Sequence, residues 1–175
     1  MKRTFTAISE GRNACFMPSN NMVYVNKDKF SFSTFHELGH SMNFTATNGF
    51  GKFLSKIRHK TAYVTPFVLA IGLLKRKEAD GEKPKTFIGK TANFIKNNCG
   101  ILATACMMPT VIEEGLASIN GAKLAKDVLN KDMYKKLNKL NAKAFGTYAL
   151  SAVAVGLATK AAVYVKDKIL PPKSK

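Results

Sequence analysis

His36, Glu37 and His40 are the residues of this chain best suited to chemistry. They stand in the run His36-Glu37-Leu38-Gly39-His40, which holds two of the three histidines of the chain. Residues four apart share one face of a helix, so both imidazoles can reach one metal ion. Glu37 is turned slightly around that helix, where its carboxylate can meet a water on the metal. The H-E-x-x-H spacing is typical of zinc-dependent peptide hydrolysis, although five residues can also match by chance.

A hydrolytic zinc site needs three protein ligands and one open position for water. We expect Glu114 to be the third ligand, because Ala117 and Ser118 share its helix face and are small enough for the histidine helix to approach. Glu113 is the alternative ligand or a supporting acid beside the metal. His59 is the remaining histidine, but its neighbours are cationic, which disfavours a divalent cation.

This ligand set predicts one Zn²⁺ per chain, with Glu37 as the general base. Zinc lowers the pKa of a bound water to about 7 and polarises a carbonyl. Glu37 would take the water proton and pass it to the leaving amine. An oxyanion donor is also needed, and the sequence leaves Tyr134, Tyr148 and His59 as alternatives.

Hydrophobic periodicity predicts a mainly α chain with a small edge β-element. A helix is expected over residues 31–46, since apolar residues recur there at steps of three and four. A second helix is expected over 113–130. The predicted organisation is one domain divided into an edge strand and histidine helix (13–60), an apolar helical hairpin (61–112), a third-ligand helix with an amphipathic stretch (113–143) and an apolar C-terminal helix (144–165).

Three apolar blocks, at 61–74, 99–112 and 144–165, favour a membrane protein. The third block is long enough to cross a bilayer. The first two are shorter, and we interpret them as a transmembrane helical hairpin with a basic tip, because short spans are tolerated at modest cost. The alternative is a soluble helical protein that buries these blocks in its core.

The charge of the chain is strongly basic, with 28 Lys and Arg against 11 Asp and Glu and a formal net charge of +17. Lysines flank the apolar blocks, which favours contact with anionic lipids. They lack the interleaved aromatic residues of an RNA-binding sheet, so specific nucleic-acid binding is not expected. Three cysteines match no disulfide framework, which indicates a reducing compartment. No signal peptide is expected at the basic N-terminus, since no apolar run follows it.

Three pieces of the chain together resemble the integral-membrane gluzincins of the HtpX and CAAX prenyl endopeptidase type. Residues 13–25 resemble the Asn-Ala-x-x-x-Pro-Gly-Gly segment that leads into an edge strand in that family. The run from His36 to His40 is similar to its metal motif. Glu114-Gly115-Leu116-Ala117-Ser118 resembles its Glu-x-x-Ala-Asp, whose Glu is the third zinc ligand.

The resemblance implies a membrane endopeptidase that acts on proteins or peptides. It implies that Met22, Val23, Tyr24 and Val25 form the edge to which an extended substrate adds as a strand. Ser118 stands where that family usually has Asp, which weakens the expected support of a zinc-bound histidine. Small membrane zinc peptidases of the YugP type, whose acidic motif can carry Ser, are an equally good match.

The distribution of Lys and Arg predicts that the zinc motif and the third-ligand helix face the cytoplasm, because the segments that carry them hold the larger share. The rival hypotheses are a catalytically inactive membrane-associated homologue and a basic helical protein that binds anionic lipid. In either case the metal motif would have no catalytic role.

Overall fold

A computed structural model of the chain describes residues 2–11, 13–29, 31–46, 49–79 and 83–172, without the side chains of residues 2–5 and 59. These residues are mainly helical with one small antiparallel sheet, which confirms the predicted fold class. The elements are α1 (Lys2–Ser9), β1 (Cys15–Met17), β2 (Met22–Tyr24), α2 (Ser33–Thr45), α3 (Phe50–Ala62), α4 (Thr65–Leu74), α5 (Phe87–Asn97), α6 (Cys99–Lys126) and α7 (Lys131–Ile169).

The chain divides into two compact units, and the first comprises Met1–Arg58 and Thr110–Tyr148. Strands β1 and β2 pair in register with Phe16 opposite Val23. Asn21, in the turn that joins them, has a φ of 52°, and asparagine tolerates this left-handed conformation better than most residues. The turn therefore forms without the two glycines of the family that residues 13–25 resemble.

Helices α2 and α6 approach each other closely in the first unit because glycines lie at their contact. A Cβ added at Gly39 would lie 1.9 Å from the carbonyl oxygen of Ala117, and one at Gly121 would lie 2.1 Å from that of Phe35. Such distances leave no room for any side chain. The core beside this contact is formed by Phe35 with Ala125 and Leu137.

The second unit comprises His59–Pro109 and Ala149–Lys175. Its core cluster is Val68, Cys99 and Val163. Helices α6 and α7 also meet here through small residues, since a Cβ at Gly156 would lie 2.7 Å from the carbonyl oxygen of Gly100. Large apolar side chains point outward instead, among them Ile101, Leu150, Val153 and Leu157.

The hairpin of the second unit differs from the sequence prediction in its second arm. Helix α4 packs against α5, and α5 was not anticipated because polar and apolar residues are mixed in it. The block 99–112 instead begins α6, which continues through Pro109 to Lys126. A proline removes one backbone hydrogen bond, and the apolar turns around it sustain the helix.

Two helices are long and apolar enough to cross a membrane by length and composition, Cys99–Lys126 and Lys131–Ile169. The first of the predicted spans is shorter in the structure. Helix α4 has ten residues, which gives a length of about 15 Å, about half of a bilayer's hydrocarbon core.

Candidate metal centre

Helix α2 presents the two histidines of the motif on one face. His36 and His40 are one turn apart, and their ring centroids lie 4.6 Å from each other with an interplanar angle of 83°. His40 is buried, and the side chain of His36 is 16 % exposed. The two rings therefore stand side by side, with one edge of the pair open to a cleft.

Helix α6 brings the carboxylate of Glu114 to both rings. Its Oε2 lies 3.0 Å from Nε2 of His36 and 3.5 Å from Nε2 of His40. The close approach of α2 and α6 makes these distances possible, since Glu114 lies one turn before Ala117, which touches Gly39. Three atoms from residues 78 and 74 positions apart in the chain thus converge on one small volume.

The other nitrogen of each ring is held by its own partner. Nδ1 of His36 lies 3.1 Å from Oγ of Ser118, and Nδ1 of His40 lies 2.9 Å from Oε1 of Glu113. Asn43 also donates to that Glu113 oxygen, at 3.2 Å. Arg58 Nη1 also lies 3.3 Å from Nδ1 of His40. A histidine that donates from Nδ1 to its partner leaves the lone pair of Nε2 for a metal ion.

Arg58 is part of this cluster, although the sequence did not predict it. Its Nη1 donates to Oε1 of Glu114 at 3.0 Å and also to Oε2 of Glu113. The basic run around His59 was interpreted only as unfavourable for a cation. One hint was available in the sequence, because Arg58 lies one turn after the apolar Leu54 and shares its helix face, but no local pattern linked it to Glu113 and Glu114. The side chain of His59 itself lies outside the described residues.

Glu37 is held by the sheet rather than by α6. The backbone N–H of Phe16 in β1 donates to Oε2 of Glu37 at 2.8 Å. Since this N–H points toward α2, it points away from the partner strand β2. The strand edge that faces the motif is therefore β1, whereas the predicted substrate edge, Met22–Val25, lies in and just after β2.

The pKa of His40 reflects its two carboxylate partners. Burial alone would lower this pKa, but the hydrogen bonds and charges of Glu113 and Glu114 outweigh burial and raise it to about 9. Without a cation between them, the imidazole therefore holds a second proton at neutral pH. A metal ion at Nε2 would take the place of that proton.

A cleft of about 760 Å³ opens onto the cluster and is lined by both histidines, Glu37, Glu114 and Tyr148. The Tyr148 side chain lies near the Glu114 carboxylate. Tyr134 lines a different cavity, between α6 and α7. Of the described oxyanion candidates, Tyr148 is therefore the one that reaches this cleft.

The cluster has the composition and spacing of a metal site. His40, Glu113 and Glu114 form a buried group whose ligand atoms could hold one ion, and His36, Glu37 and His40 form a second, partly exposed group. For zinc, bonds of about 2.0–2.2 Å at tetrahedral angles place ligand atoms about 3.4 Å apart. The distances from Glu114 Oε2 to the two Nε2 atoms, 3.0 and 3.5 Å, are of that order, so the cluster could hold a metal ion.

Comparison of the chain with protein-family models, with curated proteins and with solved structures finds no match. The assignment of a role to the cluster therefore depends on its own geometry.

Proposed function

We propose that this chain is a zinc-dependent membrane endopeptidase in which His36, His40 and Glu114 hold the metal and Glu37 is the general base. One observation carries the proposal. Both Nε2 atoms converge on a single carboxylate oxygen, while each Nδ1 is held by a separate partner. A pair of histidines in a purely structural ion pair has no need of this double arrangement, whereas metal-binding histidines regularly have it.

The chemistry follows from the position of each side chain around the cleft. Zinc, when bound, supplies Lewis-acid chemistry that lowers the pKa of a water to about 7 and polarises the substrate carbonyl. Because Oε2 of Glu37 accepts from Phe16, its other oxygen is the one that takes the water proton. Glu37 then donates this proton to the leaving amine. The hydroxyl of Tyr148 is the donor we assign to the developing oxyanion.

The proposed substrate is an extended segment of a protein or peptide. The outward N–H of Phe16 in β1 is taken by Glu37, so a substrate strand would pair with the hairpin at its other edge, on β2. We therefore propose Met22–Val25 as the substrate edge.

Membrane insertion is supported by the way the second unit packs. Small residues, including Gly100, Ala103 and Gly156, lie between its helices, and large apolar residues such as Ile101 and Leu157 face outward. A water-soluble core has the opposite arrangement, whereas helices in lipid pack through small residues. The basic charge suits anionic lipid headgroups, and the excess of Lys and Arg on the motif-bearing segments supports a site that faces the cytoplasm.

The geometry agrees with what the resemblance to HtpX-type and YugP-type peptidases implies, and we propose that the chain is a divergent relative of these groups. Ser118 takes the position of the family's Asp and lies within hydrogen-bond distance of His36. A hydroxyl can thus support the ring where a carboxylate is expected.

The experiment that tests the proposal compares Glu37→Gln with Glu114→Ala in the purified, membrane-reconstituted chain. The wild type should contain one zinc per chain and cleave an unfolded protein substrate in a chelator-sensitive reaction. Glu37→Gln should keep the zinc and lose at least about 100-fold of the rate, since it removes the general base alone. Glu114→Ala should lose both zinc and activity.

Three results would contradict the proposal. Wild-type protein without stoichiometric zinc would exclude the metal centre. Zinc-loaded protein whose hydrolysis is unaffected by Glu37→Gln would remove Glu37 from its role, and zinc-loaded protein without any hydrolysis would favour the inactive membrane-associated homologue.

A further inference from the structure

Arg58 links the two consecutive acids of α6 through one nitrogen. Its Nη1 donates to Oε2 of Glu113 and, at 3.0 Å, to Oε1 of Glu114. The other oxygen of each carboxylate has a different partner. Oε1 of Glu113 meets Nδ1 of His40, and Oε2 of Glu114 faces the two Nε2 atoms. In each carboxylate, one oxygen therefore contacts the arginine and the other contacts a histidine.

This division limits how Glu114 can bind a metal. A carboxylate can coordinate through one oxygen or through both, and the second mode raises the coordination number of the ion. A four-coordinate hydrolytic site needs three protein ligand atoms and one open position. With Oε1 engaged by Arg58, only Oε2 is directed at the metal position.

Arg58 also balances charge in a buried place. Glu113 and Glu114 are 1 % and 7 % exposed, and two adjacent carboxylates in such a setting repel one another unless a cation lies between them. The side chain of Arg58 is itself 12 % exposed, so little solvent screens its charge. A charged Glu113 is the better acceptor for the Nδ1 proton of His40.

We propose that Arg58 is a positioning residue that makes Glu114 a one-oxygen ligand and thereby keeps the fourth position of the metal open for water. The inference rests on the proposed zinc site. It extends that proposal, because it assigns to a residue outside the H-E-x-x-H and Glu motifs the control of coordination number.

The test is Arg58→Met, which keeps most of the apolar stem of the side chain and removes every donor. Lys56→Met is the matched control, because it removes one positive charge from an exposed position on the same helix. Each variant is loaded with Zn²⁺ for activity and with Co²⁺ for visible absorption, since four-coordinate Co²⁺ absorbs more strongly than five- or six-coordinate Co²⁺.

Arg58→Met should still bind one metal per chain, but Glu114 should then bind through both oxygens. We expect the Co²⁺ absorption to fall by more than half and kcat to fall about 10- to 100-fold, as is common when a partner of a metal ligand is removed. Lys56→Met should match the wild type in both. Arg58→Lys, which restores a charged donor, should recover most of the absorption.

Should Arg58→Met fail to fold, the double variant Arg58→Met with Glu113→Gln restores the charge balance and still frees Oε1 of Glu114, so the same loss of absorption is expected. Unchanged Co²⁺ absorption in a folded variant would overturn the inference, as would a spectrum that Arg58→Lys does not restore. Either result leaves the zinc site itself intact, whereas wild-type protein that binds no metal would refute the proposed function instead.

Discussion

In both units of this chain, glycines let two helices pack closely, but the surroundings of the two contacts differ. In the first unit, Gly39 and Gly121 let α2 and α6 touch backbone to backbone, and the space gained holds carboxylates, imidazoles and a guanidinium. In the second unit, Gly100 and Gly156 also bring α6 and α7 close, although less so, since a Cβ at Gly156 would lie 2.7 Å from the carbonyl oxygen of Gly100 and 2.0 Å from the Thr104 hydroxyl. Polar side chains meet at the contact of the first unit, whereas large apolar side chains such as Leu157 face outward beside the contact of the second.

The difference shows that close helix contact does not by itself define an environment. The residues beside each glycine decide whether the contact is polar or apolar. His40 follows Gly39 on α2, and Glu114 lies one turn before Ala117 on α6. Polar and charged side chains therefore meet at this contact. Near Gly156 stand Val153 and Leu157, whose side chains are 48 % and 67 % exposed, so the contact leaves an apolar outer face.

The largest effect is expected from breaking the α2–α6 contact with Gly39→Ala. The added Cβ would meet a backbone oxygen at 1.9 Å, which no side-chain movement relieves. We expect a loss of at least about 3 kcal/mol of stability, at the upper end of overpacking effects, together with loss of metal binding. Thermal unfolding and metal analysis measure the two results.

Gly146→Ala is the matched control, because a Cβ there meets nothing within 4 Å. This substitution in α7 should keep the metal and raise stability by up to about 1 kcal/mol, since alanine favours helix over glycine. Equal behaviour of the two variants would mean that α2 and α6 do not approach as closely as described.

A smaller effect is expected from charging the outer face of the second unit. Leu157→Lys should cost about 3 kcal/mol of membrane insertion, because a lysine would face hydrocarbon. Val128→Lys, at a residue of the first unit that is 74 % exposed, should leave insertion unchanged. The fraction of each variant that resists alkaline extraction from membranes gives the comparison, and identical fractions would show that lipid does not cover Leu157.

The smallest effect is expected from removing single hydroxyls from α6. Ser118→Ala takes the partner from Nδ1 of His36 and should weaken zinc binding about 10-fold. Thr104→Val removes a hydroxyl that bonds only within its own helix, to the carbonyl of Gly100 at 3.1 Å, so zinc affinity should not change. Competition with a chromophoric chelator measures the zinc affinity of both variants. An equal loss of affinity in the two would show that Ser118 does not specifically support zinc binding.

The sequence predicted the features that depend on short-range spacing. The i, i+4 relation of His36 and His40 follows from helix geometry, and the small residues after Glu114 indicated a helix that another could approach. Structure places Glu114 within hydrogen-bond distance of His36, as those small residues suggested.

Features set by partners distant in sequence were not predictable in the same way. Arg58 finds its carboxylates more than 50 residues later, and no local pattern links them. The continuation of α6 through Pro109 and the pairing of α4 with α5 depend on packing, which overrides the local signals on which the predicted hairpin relied. Which edge of the hairpin lies next to Glu37 is likewise set by tertiary contact, because a hairpin has two edges.

Both ring nitrogens of His40 contact consecutive residues of α6, Glu113 at Nδ1 and Glu114 at Nε2. Turning that helix by a single residue, about 100°, would break both contacts together. The rotation of α6 about its axis is thus fixed by two contacts at one ring. One comes from the Glu114 oxygen that would bind an ion, and the other comes from the Glu113 oxygen that would not. Loss of the ion would leave the Glu113 contact in place. The empty centre should therefore keep its shape and bind a new ion without refolding.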